Sequence, residues 1–131
     1  MPVISFVIVS WNVKEALAKN LERLLSISSP DQAEAIVVDN GSSDGTPNMM
    51  RTQFPDVSFI QNDSNRGFAH ACNQGLKIAK GEILVLLNPD MLLGKGVIGH
   101  TIETLKNRPD IGVMGVKLLR PDGVVMSSVR R

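Results

Sequence analysis

Several features that would assign this 131-residue sequence to common protein classes are scarce or missing. It contains one cysteine, Cys72, which excludes an internal disulfide and is compatible with a reducing cytoplasm. Its 14 Lys and Arg residues nearly balance its 13 Asp and Glu residues, giving a net charge of +1. This charge balance offers no basic surface for nucleic acid or an anionic membrane, so we expect no nucleic-acid partner.

Long hydrophobic runs are missing too. Every apolar segment is too short to cross a bilayer, and residues 1–5 have neither the basic region nor the small-residue cleavage site of a signal peptide. No repeat, linker or low-complexity tract divides the chain, whose length suits one domain. We expect a cytoplasmic protein with no membrane span in this chain. Attachment to the inner face of a membrane through a further segment is left open.

A glycine-rich phosphate-binding loop is missing after the first predicted strand. That strand runs into Ser10-Trp11-Asn12, where a dinucleotide-binding sheet would have Gly-x-Gly-x-x-Gly. A sugar-nucleotide pyrophosphorylase would also have a glycine-rich, basic loop at this point. The sequence therefore argues against a dinucleotide-dependent oxidoreductase and against a pyrophosphorylase.

What the sequence does contain is a regular alternation of β-branched runs with segments of helical period. Apolar runs without polar alternation predict strands buried on both faces of a parallel sheet, above all the first and the fourth. The four strands are predicted at residues 3–9, 35–38, 57–61 and 83–87, with a fifth at 111–119. The strands and the helices between them predict a doubly wound α/β domain.

The helices of this pattern have recognisable ends and faces. We expect N-caps at Asn12 and Thr46 and a C-cap at Gly81, and a last helix between Gly94 and Pro109. Three further expectations concern packing. Phe68, Cys72, Leu76 and Ala79 should form the apolar face of the third helix, Cys72 should be an inert buried thiol, and Met49 and Met50 should fill the core.

Each of the first four strands ends in a polar cluster. The carboxyl ends of parallel strands meet at one edge of a sheet, where ligands bind in open α/β folds, so we expect a single site. Carboxylate, amide, cationic and aromatic groups together suit a nucleoside diphosphate and its divalent metal. The clusters are Ser10-Trp11-Asn12, Asp39-Asn40, residues 62–66 and Asn88-Pro89-Asp90.

Four motifs contain these clusters: Val9-Ser10-Trp11-Asn12, Val37-Val38-Asp39-Asn40-Gly41-Ser42-Ser43-Asp44-Gly45-Thr46, Asn65-Arg66-Gly67-Phe68-Ala69 with Asn73-Gln74-Gly75, and Leu87-Asn88-Pro89-Asp90. In this order they resemble the family 2 nucleotide-sugar glycosyltransferases of GT-A fold. The resemblance runs along nearly the whole chain. It implies a three-layer, Rossmann-like GT-A domain with a mostly parallel sheet.

The resemblance also implies roles for individual residues. Asp39, Ser10 and Asn12 would contact the base of the donor, and Trp11 would lie beside the base or ribose. Arg66 would approach the base and diphosphate. The remaining donor-binding positions of the matched motifs are Asn40, Asp44, Gly67, Asn73 and Asn88.

Asp90 matches the second acid of the family's Asp-x-Asp motif, which coordinates Mn²⁺ or Mg²⁺ on the diphosphate. Asn88 replaces the first acid, and because an amide adds no charge, metal binding without the donor should be weak. The family's general base for inverting transfer lies in a later segment, and nothing after Asp90 matches it, including Glu103. We therefore expect residues 1–131 to be the N-terminal, donor-binding part of a longer enzyme, truncated at the C-terminus.

The last motifs, residues 115–119, Pro121-Asp122-Gly123 and Arg130-Arg131, resemble the bacterial rhamnosyltransferase-like branch. This branch implies a dTDP-sugar such as dTDP-rhamnose, with UDP-sugars second. It also implies a glycan or glycolipid acceptor in cell-surface polysaccharide synthesis. A truncated domain would expose apolar surface, so we also expect a homo-oligomer.

Plainer interpretations remain open for each of these residues. Asp39 would serve as a turn former, Asp90 as a helix cap, and Arg66 or Asn73 as a solvated surface residue. Trp11 would be packed in the core. The chain as a whole would be a nucleotide-sugar-binding module without catalysis, or an inactive fragment.

Overall fold

The structure, a computed structural model, describes residues 2–126. Strands and helices alternate along them, as the sequence predicts. The strands are β1 (Ile4–Ser10), β2 (Ala33–Asp39), β3 (Ser58–Gln61) and β4 (Ile83–Leu86). The helices are α1 (Lys14–Ile27), α2 (Thr46–Gln53), α3 (Phe68–Ile78) and α4 (Val97–Asn107).

The four strands form one parallel sheet in the order β3-β2-β1-β4. β1 and β2 pair along their full length, from Ile4 opposite Ala33 to Ser10 opposite Asp39. Gln61 of β3 lies opposite Asp39 in turn. The polar ends of β1, β2 and β3 are therefore brought into line at one edge, as predicted.

Helices cover both faces of the sheet, which confirms the three-layer α/β architecture. The larger core joins alternate residues of β1 and β2, such as Phe6 and Val37, to Leu21 of α1, Met50 of α2 and Ile98 of α4. The predicted burial of Met49 and Met50 is confirmed. A smaller core on the opposite face joins Ile36 and Val38 to Ala71 of α3.

Helix α3 approaches the sheet closely because Gly75 faces Val7. A Cβ atom at Gly75 would lie 2.5 Å from Cγ1 of Val7. The buried residues of α3 are Ala71, Cys72 and Gly75, and Phe68 is 56% exposed. The predicted apolar face was therefore wrong at Phe68, since small residues and not the aromatic ring define the contact with β1 and β2.

Three predicted caps differ from the structure. Helix α1 begins after Val13, and α2 begins after Gly45, whose φ of 88° is in the left-handed region. Asn12 and Thr46 are therefore not N-caps. Helix α3 ends at Ile78, and Gly81 instead lies against β1, where a Cβ would be 2.6 Å from the carbonyl carbon of Ile4.

Two strand predictions also fail. Strand β4 is not buried on both faces, because Leu84 and Leu86 are 51% and 52% exposed and β4 forms an edge of the described sheet. Residues 111–119 form no strand, and their one bridge joins Leu119 to Val125. Parts of this segment line a groove of about 840 Å³ beside β4.

No helix within residues 2–126 has both the length and the apolar character needed to cross a membrane.

Candidate functional site

The strand order places the polar clusters around a switch point of the sheet. The chain winds outward from β1 to β3 and then crosses to β4 on the other side of β1. In open α/β sheets, the crevice beyond the carboxyl ends of the strands at such a reversal is where ligands bind. Residues 10–12 follow β1 and residues 88–90 follow β4, so they lie on the two sides of this crevice.

Asp39 ends β2 with a fully buried carboxylate. One oxygen accepts the backbone N–H of Ser42 at 2.8 Å, and the other accepts the hydroxyl of Ser42. This is a turn in which an Asp side chain bonds to the backbone three residues further on. The predicted turn-forming role of Asp39 is therefore present, and each of its carboxylate oxygens already accepts one hydrogen bond from Ser42.

Asn12 joins the loop after β1 to the loop after β2. Its side-chain oxygen accepts the backbone N–H of Ser43 at 2.8 Å, and its own backbone N–H donates to the Ser42 hydroxyl at 2.8 Å. Its φ of 52° is in the left-handed region, which Asn tolerates better than most residues. Two of the predicted donor-binding loops are therefore connected before any ligand binds.

Asp44 connects the same two loops through the starts of two helices. One carboxylate oxygen accepts the backbone N–H of Lys14, and the other accepts the N–H and hydroxyl of Thr46. Partial burial raises the pKa of Asp44, but these hydrogen bonds to the charged form outweigh it and hold the pKa below its ordinary value. The carboxylate therefore holds the two loops together.

Asn40 connects the loop after β2 to the loop after β3. Its amide nitrogen donates to the carbonyl of Gly67 at 3.2 Å, and its oxygen accepts from Asn62 at 3.0 Å. Asn62 in turn exchanges two hydrogen bonds of 2.8 Å with Gln74 of α3. Asn40 is 2% exposed, so this amide network is a buried support beneath the loops.

The fourth loop, residues 88–91, contains the proposed metal ligand. Asp90 is exposed, and no residue among those described donates a hydrogen bond or forms an ion pair with its carboxylate. Residues 2–126 contain no cluster of three or more Asp, Glu, His or Cys residues that could hold a metal. A single carboxylate fits a Mg²⁺- or Mn²⁺-type ion that takes its other ligands from diphosphate and water, and Asn88 adds a neutral amide.

The other predicted residues have no partners that fix them. Arg66 and Asn73 are exposed and make no side-chain hydrogen bond within the described part of the chain. Trp11 is 54% exposed, so the core-packing interpretation is wrong. Ser10 is fully buried and its hydroxyl lacks a partner among the described residues. Hydrogen bonds between the loops bring Asn12, Asp39, Asn40, Asp44 and Gly67 together, and Ser10 joins them through its backbone carbonyl, which accepts the N–H of Asn40 at 2.8 Å.

Several supporting residues were not predicted. The backbone N–H groups of Ser42 and Ser43 donate the bonds that close the loops, and Asn62 with Gln74 supports Asn40. The run Asp39-Asn40-Gly41-Ser42 consists of turn-forming residues, and this composition could have drawn attention to Ser42. Asn20 was also missed, although a polar residue inside the apolar stripe of Leu17, Leu21 and Leu24 is itself a signal.

The sequence matches "Glycosyl transferase family 2" over residues 5–125, and the chain belongs to this family. It is 36% identical over 115 residues, 86% of the chain, to the uncharacterized glycosyltransferase YfnE of Bacillus subtilis. It is 29% identical over 130 residues, 97% of the chain, to the poly-beta-1,6-N-acetyl-D-glucosamine synthase of Staphylococcus epidermidis. The chain spans 29% and 31% of the lengths of these relatives.

Solved structures agree on the fold. The mannosyltransferase PcManGT of Pyrobaculum calidifontis, in complex with GDP-Man and Mn²⁺, superposes with a TM-score of 0.73 at 26% identity, over 92% of this chain and 36% of its own. S. aureus TarS 1-349 with UDP-GlcNAc gives 0.70 at 22% identity, over 81% of this chain and 32% of its own. The domain therefore has the fold of GT-A glycosyltransferases.

Proposed function

We propose that residues 1–131 form the donor-binding and metal-binding part of an inverting glycosyltransferase. The observation that carries this proposal is the position of Asp39 and Asp90, which follow β2 and β4 at the same edge of a family 2 domain. The structural neighbours PcManGT and TarS are in complex with GDP-Man and UDP-GlcNAc respectively, which supports a nucleotide-sugar donor here.

The donor base would lie against the bonded loops around Asp39. Trp11 has an exposed indole that can stack on the base or ribose, since aromatic faces favour such contacts. Asn12, Asn40 and Asp44 would keep the loops in place, and Ser10 would line the floor of the pocket. Pre-formed hydrogen bonds lower the entropy lost when a ligand binds.

The diphosphate would lie between the loops after β3 and β4. Arg66 lies on the first of these loops, next to Gly67, and has no ion-pair partner within residues 2–126; Asn73 is exposed on the following helix. Asp90, assisted by Asn88, would hold Mn²⁺ or Mg²⁺ together with the diphosphate. When bound, the ion would supply Lewis-acid stabilisation of the departing diphosphate.

The sugar, acceptor and cellular location form the finer part of the proposal. The rhamnosyltransferase-like motifs favour a dTDP-sugar, with a UDP-sugar second, and a glycan or glycolipid acceptor at the inner face of a bacterial membrane. The acceptor site and the general base are assigned to chain beyond Arg131. Removing the acceptor proton requires such a base, and no residue after Asp90 matches the position that supplies it in the family.

Calorimetric titration tests the donor site. We would titrate the protein with dTDP, UDP, GDP and NAD⁺, each with and without Mn²⁺, and repeat the series on Asp39→Asn and Asp90→Asn. Asp56→Asn is the matched control, because Asp56 is an exposed carboxylate in the loop before β3, at the opposite edge of the sheet from the site. The expected result is preference for dTDP or UDP, loss of about tenfold in affinity with Asp39→Asn, and loss of the Mn²⁺-dependent gain with Asp90→Asn. Preference for NAD⁺ would overturn the proposal.

A further inference from the structure

Asn20 is a buried polar residue in the apolar stripe of α1. Its side chain is 2% exposed and its helical neighbours Leu17, Leu21 and Leu24 are buried in the larger core. Buried polar groups are nearly always hydrogen-bonded, because burial without a partner is costly. The partners of Asn20 should therefore explain why this position is not apolar.

The partners lie in the loop after β4. The amide nitrogen of Asn20 donates to the backbone carbonyl of Asn88 at 3.3 Å and to that of Met91. The backbone N–H of Met91 also donates to the Asn88 carbonyl at 3.1 Å, which closes a four-residue turn. Asn20 thus binds the first and last carbonyls of the turn that contains Asp90.

The orientation of the Asn20 amide follows from these contacts. Both neighbouring loop groups are acceptors, so the nitrogen has to face them, and the side-chain oxygen is left without a partner among the described residues. The Asn20 side chain therefore forms no hydrogen bond within α1. The bonds to the loop are the interaction that this residue provides.

Arg23 extends the same contact one helical turn further along α1. Its Nε donates to the carbonyl of Leu93 at 2.9 Å. Asn20 and Arg23 therefore hold three backbone carbonyls of residues 88–93, a segment that has no strand or helix of its own. No described side chain forms a hydrogen bond or an ion pair with the Asp90 carboxylate, so its position depends on the backbone of this turn.

We propose that Asn20 is a positioning residue for Asp90: by binding the carbonyls of Asn88 and Met91, it fixes the turn that presents the carboxylate to a divalent cation. Arg23 supports the same turn from its C-terminal side. This inference rests on the proposed function, in which Asp90 holds the cation together with the donor diphosphate. Groups that orient metal ligands typically change metal affinity when they are removed, without touching the ion.

The test measures nucleotide binding by the whole chain with and without Mn²⁺. Asn20→Leu keeps the volume and burial of the side chain but removes its donor, and Asn20→Asp keeps the shape but replaces the donor by an acceptor. For both variants we expect unchanged affinity for UDP or dTDP without metal. The gain in affinity that Mn²⁺ produces should fall by about tenfold or more.

Two further variants keep the result interpretable. Leu21→Ala weakens the same helix at a buried position whose side chain makes no hydrogen bond to the loop, and it should keep the Mn²⁺-dependent gain. Arg23→Met acts at a partly exposed position, removes only the bond to Leu93, and should lose part of the gain. It serves as the test if both Asn20 variants fail to fold.

The outcomes separate this inference from the proposed function. If the unmodified chain shows an Mn²⁺-dependent gain that Asp90→Asn abolishes, while Asn20→Leu keeps it in full, only the role of Asn20 is overturned. An equal loss of the gain in Leu21→Ala also overturns it, because general weakening of α1 would then explain the effect. If the unmodified chain shows no gain with Mn²⁺, the metal role of Asp90 and the inference both fall.

Discussion

Asp44 accepts the backbone N–H of Lys14 at 2.8 Å, which joins residues that are 30 positions apart in the sequence. The other oxygen of the same carboxylate accepts the N–H and hydroxyl of Thr46. One side chain thus satisfies the first amides of α1 and α2, which have no partner within their own helices.

Replacing Asp44 should therefore destabilise the fold. We expect Asp44→Ala to lower the free energy of unfolding by about 1–2 kcal/mol, the upper range for losing a helix N-cap. Urea unfolding at pH 7 measures the change. Asp63→Ala, at an exposed carboxylate without a side-chain partner among the described residues, is the control and should change stability little.

The lowered pKa of Asp44 predicts a pH dependence of stability. A carboxyl whose folded-state pKa is depressed stabilises the fold above its unfolded pKa, and this contribution is lost as the pH falls through the folded value. Below about pH 4, the unmodified protein should therefore lose stability more steeply than Asp44→Asn. Urea midpoints between pH 7 and pH 3 test this, and parallel curves for the two proteins would contradict it.

The contact between Gly75 and Val7 predicts that Gly75 tolerates no larger side chain. Gly75→Ala would place its Cβ 2.5 Å from Val7 Cγ1, and we expect a loss of about 1–3 kcal/mol from overpacking. Gly99→Ala in α4 is the matched control, since no atom lies within 4 Å of its Cβ position. That change should stabilise the helix by up to about 1 kcal/mol. Thermal unfolding of both variants gives the comparison.

Trp11 is the only tryptophan in the sequence and is 54% exposed, so its fluorescence reports on the proposed base pocket. We expect UDP or dTDP to quench its emission with the dissociation constant that calorimetry gives. GDP or NAD⁺ should quench less at equal concentration. Emission that stays unchanged when calorimetry shows saturation would place the base away from the indole.

The free edge of β4 predicts self-association, the homo-oligomer expected from the sequence. Leu84 and Leu86 are half exposed on an edge strand, and such edges pair readily with other chains. Leu86→Lys should lower the average mass measured by light scattering at high concentration. Leu25→Lys, at an equally exposed leucine on α1, should not. A monomeric unmodified protein at high concentration would refute this expectation.

Sequence periodicity predicted the fold well where burial is regular. All four strands and four helices were located, because apolar runs and helical stripes reflect burial in the sheet and cores. The two strand failures concern contacts that local sequence does not encode. The burial of Leu84 depends on whether another layer covers that face of β4, and a strand at residues 111–119 depends on whether the segment pairs with a neighbouring strand.

The location of the candidate site could be predicted from the sequence, but the hydrogen bonds that support its loops could not. Strand ends and motifs located Asp39, Asp44 and Asp90, since the carboxyl edge of a parallel sheet follows from topology. The contacts of Asn20 with residues 88 and 91 were not predictable, because they join positions almost 70 residues apart. The exposure of Phe68 was missed since helical period alone does not say which apolar residue faces the sheet.

The structure confirms the predicted burial of the Cys72 thiol. The thiol is buried, and burial raises its pKa, so little reactive thiolate forms at neutral pH. We expect thiol reagents to modify it at pH 7 far more slowly than they modify a free thiol. Rapid modification of the folded protein would show that α3 separates readily from the sheet.

Helix α1 is bonded at its first residue to the loop after β2 and at Asn20 to the loop after β4. Among the described residues, no side chain joins these two loops directly. Helix α1 is therefore the element that couples the opening of one loop to the opening of the other. In native-state hydrogen exchange, the amides of Lys14, Thr46 and Met91 should therefore open with similar free energies, as one cooperative unit.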